Sequence, residues 1–99
     1  MNISIQSLHF DASAHLKDFI EKKLSKLDKF TDQIVSAEVI LKVTKPEVAK
    51  NKEASIKLNI KNGELFAGKV ADTFEEAVMQ GIEALEKQIM KVKEKTQAK

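Results

Sequence analysis

Residues 54–67 read Ala54-Ser55-Ile56-Lys57-Leu58-Asn59-Ile60-Lys61-Asn62-Gly63-Glu64-Leu65-Phe66-Ala67. Ala54, Ile56, Leu58 and Ile60 alternate with Ser55, Lys57, Asn59 and Lys61, the period-two pattern of a strand with one buried face. The Asn62-Gly63 pair tolerates the positive φ angles of a two-residue type I′ turn, so the chain doubles back as a hairpin. Counting from that turn sets Lys61 opposite Glu64, Ile60 opposite Leu65 and Leu58 opposite Ala67, with Leu65 and Ala67 facing the core. Continued, this register puts Lys69 on the buried face opposite Ile56, which predicts a bulge at Gly68 or an end to the ladder there.

Upstream of the hairpin, Ala37, Val39, Leu41 and Val43 alternate with Glu38 and Lys42, a strand over 34–43. The polar stretch Thr44 to Glu53 holds the single proline, Pro46, and reads as a flexible loop. Residues 1–10 alternate as well, Ile3 and Ile5 against Asn2, Ser4 and Gln6, and this strand can pair on either edge or inside a sheet. Ser13 is a helix N-cap for Leu16, Phe19, Ile20, Leu24, Leu27 and Phe30, which share one helical face ending near Phe30. After the hairpin, Asp72 with Glu75 or Thr73 with Glu76 forms a capping box. An apolar stripe then runs through Phe74, Ala77, Val78, Ile82, Leu85, Ile89 and Val92, a helix reaching Lys95.

These elements predict an α+β fold of order β-α-β-β-β-α: a four-stranded sheet with two helices packed on one face, three of its strands an antiparallel meander. The other sheet face, carrying Lys42, Ser55, Lys57 and Asn59, is expected to be polar and exposed. At 99 residues the chain makes one domain able to bury roughly two thirds of its unfolded surface. The absence of cysteine excludes disulfides, a thiol nucleophile and zinc-thiolate sites. No apolar run approaches the roughly 18 residues that span a bilayer. With no N-terminal basic-then-apolar signal, a cytoplasmic protein without a membrane partner is expected.

Charge is distributed unevenly. All 17 cationic residues are lysine, and lysine meets a phosphate as a point charge without arginine's planar fork. A nucleic-acid partner would therefore be read by backbone and shape; an AT-rich coding sequence accounts for the bare composition equally well. In the last helix Glu75, Glu76, Glu83 and Glu86 precede Lys87, Lys91, Lys93 and Lys95. The first helix carries Lys22, Lys26 and Lys29 opposite its apolar face, with Lys23 at the edge of that face. Macrodipole complementarity explains the sign change along the last helix, but not five lysines in the final 13 residues, nor six lysines against two glutamates over 42–61. A phosphate-contacting surface accounts for both. A protein-interaction module using the exposed sheet face, its lysines only solvating, remains the other reading.

Catalysis finds no constellation. His9 and His15, the only imidazoles, stand near no nucleophile, glycine-rich loop or carboxylate pair at catalytic spacing, and no cofactor, metal or small-molecule substrate is expected.

The whole chain resembles the ribosome hibernation promoting factors, a family of bacterial ribosomal subunit interface proteins that includes the ribosome-associated inhibitor. The resemblance lies in the element order, in Lys22-Lys23-Leu24-Ser25-Lys26-Leu27-Asp28-Lys29-Phe30, in Val39-Ile40-Leu41-Lys42-Val43, in Asp72-Thr73-Phe74 opening a helix, and most specifically in 85–95, Leu85-Glu86-Lys87-Gln88-Ile89-Met90-Lys91-Val92-Lys93-Glu94-Lys95. It implies a dsRBD-like fold with an extra first strand and a single ribosome-binding domain over 1–99 with a disordered lysine-rich tail. It further implies rRNA binding to the small ribosomal subunit in the messenger and transfer RNA channel, and inhibition of translation in stationary phase or stress. Lys23, Lys26 and Lys29, with Lys22 beside them, and Lys87, Lys91, Lys93 and Lys95 would then contact 16S rRNA. Where the family usually has Asp-Met-Tyr this chain has Asp72-Thr73-Phe74, so a tyrosine hydroxyl at 74 is lost. Stopping at Lys99, it resembles a short form, for which a separate ribosome-dimerising factor would be a further partner. A general double-stranded RNA binder is the alternative within the same chemistry.

Overall fold

The alternating stretches form strands in the computed structural model, which describes residues 2–8, 10–29, 33–44, 50–61 and 63–97, the last six by backbone alone. The elements are β1 (Asn2–Leu8), α1 (Ala14–Ser25), β2 (Ile34–Val43), β3 (Lys52–Ile60), β4 (Gly63–Ala71) and α2 (Phe74–Gln97), with a 3-10 turn, Lys26–Lys29, after α1. The strands form one sheet in chain order, β1 parallel to β2 and the other pairs antiparallel. β1 therefore takes one edge and β4 the other. This is the expected α+β architecture with its meander.

The hairpin register differs from the sequence-based expectation by two residues. Ile60 pairs with Gly63, Leu58 with Leu65, Ile56 with Ala67 and Ala54 with Lys69. A shift of two leaves every side chain on its face, so the pattern that demands burial of Leu65 and Ala67 is satisfied either way. The glycine serves as the first residue of β4 at φ 153°, a conformation open to glycine and strained for other residues. No bulge forms at Gly68, and the ladder runs unbroken to Ala71 opposite Lys52. Lys69 escapes burial because β4 is an edge strand, which leaves its side chain exposed although it points to the helix side.

Three further boundaries moved. The α-helix stops at Ser25, whose hydroxyl donates to the Glu21 carbonyl (2.7 Å), a local bond that competes with helix continuation. The following 3-10 turn stacks residues three apart, which keeps Leu27 over the core in line with Leu24. Phe30 and His9 lie outside the described residues, as do Pro46 and most of the expected loop. β3 begins at Lys52, two residues earlier than the alternation suggests, because as a central strand it pairs with both Val43 and Ala71 there. A bulge between Ile34 and Ser36 turns Ile34 into the core and leaves Val35 exposed.

Competition between the two capping boxes resolves by division of labour. Thr73 Oγ1 accepts from the Glu76 N–H (3.1 Å) and caps α2. Asp72 Oδ1 instead accepts from the N–H of Lys50 (2.9 Å), which sits at φ 57° where the β2–β3 connection closes. Phe74 is buried and stacks on Phe10, ring centroids 4.8 Å apart and ring planes nearly parallel, tying the β1–α1 connection to the start of α2.

One core fills the space between the layers. Ile20, Leu24 and Leu27 meet Val39, Leu41, Ile56 and Leu58 of the sheet and Val78 and Leu85 of α2, all fully buried. α2 packs across β3 and β4 with α1 against it. At Gly81 a Cβ would stand 3.0 Å from Ile56 Cδ1, so any larger residue at 81 would require Ile56 to give by a few tenths of an ångström.

Candidate nucleic-acid interface

Strand directions decide where the lysines go. β1, β2 and β4 run one way and β3 the other. α1 must return from the end of β1 to the start of β2, and α2 packs back over β4 and β3 from the end of β4. The helices consequently lie side by side, pointing the same way, and their C-terminal ends share one end of the molecule with the β3–β4 turn. Lys22 and Lys23 in the last turn of α1, Lys26 and Lys29 on the 3-10 turn, and Lys87 and Lys91 on α2 belong to that end. Lys93 and Lys95 follow on the α2 backbone, their side chains outside the described set.

The described lysines of this end stand in three kinds of surroundings. Lys22 pairs with Asp18 at 3.1 Å, one helical turn back, but both side chains are well exposed and such a pair contributes only about 0.3–0.5 kcal/mol. It can be exchanged for a phosphate. Lys23 is half-buried, its ammonium 5.6 Å from the Phe19 ring centroid, so its stem packs while its charge stays outside. Lys26, Lys29, Lys87 and Lys91 are exposed, and among the described side chains none of them forms an ion pair. Gln88, between the last two, donates from Nε2 to the Phe66 carbonyl (2.9 Å) and ties the start of the basic segment to β4.

The opposite sheet face behaves otherwise. Lys57 stands 3.5 Å from both Glu38 and Glu64, and these carboxylates, Glu38 foremost, raise its pKa above the ordinary lysine value. Asn59 donates to Ser36 Oγ (2.8 Å) and Glu38 Oε2 (3.3 Å) beside it. This face carries Lys42, Ser55, Lys57 and Asn59 as expected, but it is not uniformly polar: Phe66 (57% exposed), Val70 (44%) and Ile40 (39%) also project from it. Spacing hid Phe66 and Val70, because β4 does not alternate cleanly.

Sequence reasoning counted Lys61 only among the six lysines of 42–61 and did not place it with the helix lysines; it sits exposed at the β3–β4 turn, at the same end. Only the strand directions reveal it. His15 is exposed in the first turn of α1, and among the described residues no three histidine or carboxylate side chains gather as a metal site would require. No helix among them is long and apolar enough to cross a membrane.

The family model described as Sigma 54 modulation protein / S30EA ribosomal protein matches residues 3–97. The chain belongs to this family. Within the S30EA family it is similar to the ribosome hibernation promoting factor of Azotobacter vinelandii, 30% identical over 95 residues that cover 96% of this chain and 85% of the relative. It is likewise similar to that of Pseudomonas putida, 28% identical over 98 residues that cover 99% and 92%. Two solved structures share the fold. The N-terminal domain of Thermus thermophilus Protein Y superposes with a TM-score of 0.80 at 24% identity, over 93% of this chain and 99% of that one. A ribosomal subunit interface protein from Coxiella burnetii gives 0.81 at 23%, over 94% and 98%.

Proposed function

We propose that this S30EA-family chain is a ribosome hibernation factor, a binding protein and not an enzyme. It docks on the small ribosomal subunit through lysine–phosphate contacts to 16S rRNA, occupies the channel for messenger and transfer RNA, and silences translation in stationary phase or stress. The observation that carries this reading is the set of exposed lysines that have no carboxylate partner among the described side chains, Lys26, Lys29, Lys87 and Lys91, at one end of a helix pair. The relatives named ribosome hibernation promoting factor support the ribosome as the partner. Binding of this kind releases counterions, at a slope of about 0.9 in log K against log salt per phosphate neutralised, by analogy with duplex DNA. Affinity for purified 30S subunits should therefore fall steeply with salt. Replacing Lys87 and Lys91 with glutamate should remove co-sedimentation with ribosomes while the circular dichroism spectrum is unchanged; retained co-sedimentation would exclude these lysines. Stronger binding to plain duplex RNA than to 30S subunits would instead mark a general double-stranded RNA binder.

The exposed Phe66, Val70 and Ile40 favour one second reading, a protein-interaction module working through the sheet face. A Phe66→Ser variant separates the two: it should bind 30S subunits as the parent does if the helix lysines carry the interaction.

A further inference from the structure

Lys61 has no place in the stripes of either helix, yet strand direction sets the β3–β4 turn at the end where both helices finish. The Lys61 N–H donates to the Gln33 carbonyl (3.1 Å) and fastens the turn to the segment that links the 3-10 turn to β2. Gln33 is four residues beyond Lys29, so their backbones are no more than about 14 Å apart even if fully extended. The Lys61 side chain is exposed, and among the described side chains it has no carboxylate partner. Its charge thus belongs to the same cationic end as Lys26, Lys29, Lys87 and Lys91, but to the sheet layer, roughly one helix diameter (about 10 Å) below the helix layer.

A cation set spread over two layers does not follow one line. An extended single strand offers its phosphates along a line, whereas a folded RNA brings two backbones side by side. The outward helix face is also mixed in sign: Asp18, Glu75, Glu76 and Glu83 are exposed in the N-terminal halves of the helices, and Glu21 and Asp28 are exposed among the lysines of the first helix and its 3-10 turn. We infer that the RNA-binding surface is the end of the molecule and that the β3–β4 turn is its third prong, with Lys61 contacting a phosphate on a second, adjacent backbone of a folded RNA. This inference rests on the proposed small-subunit binding and adds to it the mode of docking.

Three variants separate the inference from the reading beneath it: Lys61→Gln, the double variant Lys87→Gln/Lys91→Gln, and Lys17→Gln as a control in the first turn of α1 at the other end, each against the parent. Dissociation constants for 30S subunits are measured across a salt series, and again for a single-stranded RNA oligonucleotide. Lys61→Gln should lower the 30S salt slope by about 0.7–0.9 with several-fold weaker binding at low salt, and leave the oligonucleotide affinity unchanged. Lys17→Gln should match the parent throughout. If Lys61→Gln matches Lys17→Gln on 30S subunits while the double variant is weakened, the turn is not a prong and the inference falls with the small-subunit reading intact. Equal weakening on the oligonucleotide overturns the two-backbone geometry. No effect from any lysine variant overturns the reading as well. Because the Lys61 side chain is exposed and only its backbone bonds Gln33, the substitution tests charge without disturbing the fold.

Discussion

The two parts of α2 share one helix and divide its work. From Phe74 to Ile89 the helix is fixed by packing: Val78 and Leu85 are fully buried, Gly81 lies against Ile56, and the glutamates on the outer side complement the positive end of the helix dipole. Among the described side chains beyond Glu86, Lys87 and Lys91 bring solvated charge, and Gln88 and Ile89 still belong to the packed part. Stability should reside in the first part and binding in the second, and each can be disturbed without the other.

The most severe test is Leu85→Ala, which empties a fully buried site and should cost about 2–5 kcal/mol in denaturant unfolding. The molecules that remain folded should bind ribosomes as the parent does; a loss of affinity per folded molecule would break the division. Gly81→Ala is milder and sharper. A methyl there gains about 1 kcal/mol in helix propensity but meets Ile56 Cδ1 at 3.0 Å in a filled core, and overpacking costs about 1–3 kcal/mol, so a net loss is expected. In an Ile56→Val background that Cδ1 is gone and the nearest recorded atom is Cγ1 at 3.8 Å, so the same change should become stabilising. A double-mutant cycle measures the reversal, and additive effects would show that the close approach does not limit the site.

The smallest effect concerns Lys57, the lysine that is paired. Its pKa is raised by Glu38 and then Glu64, so the stabilisation it contributes is fully present below about pH 10.5, the unfolded lysine value, and is lost as pH rises through the higher folded value. A Lys57→Met variant should lack that alkaline loss. Parallel stability–pH curves for parent and variant between pH 9 and 11.5 would remove the pair from the account.

Sequence patterning specified which face each residue occupies better than which residue it opposes. The faces of Ile56, Leu58, Leu65 and Ala67 follow from period two alone, and a two-residue slip preserves them, so the hairpin register was not legible from burial. Ser25 gave no audible stop signal because its effect depends on a hydrogen bond back to Glu21. The helix lysines could be read from 3.6-residue spacing. Lys61 could not, since its nearness to them is produced by strand direction and has no counterpart in local spacing. Phe74 shows the opposite case: its place on the apolar stripe was legible from spacing, and the ring is buried on Phe10 at the start of α2.

β4 presents nine consecutive residues along an open side of the sheet, without proline, and with Phe66 and Val70 exposed. Such a strand is a template onto which another molecule's strand can polymerise. Two side chains described above stand in the way: Lys69, a charge a newcomer would have to desolvate, and Gln88, whose amide already occupies the Phe66 carbonyl. Replacing Lys69 with valine and Gln88 with leucine should convert the protein to concentration-dependent assemblies in sedimentation velocity, and a doubly substituted chain that sediments as the parent does would locate the safeguard elsewhere.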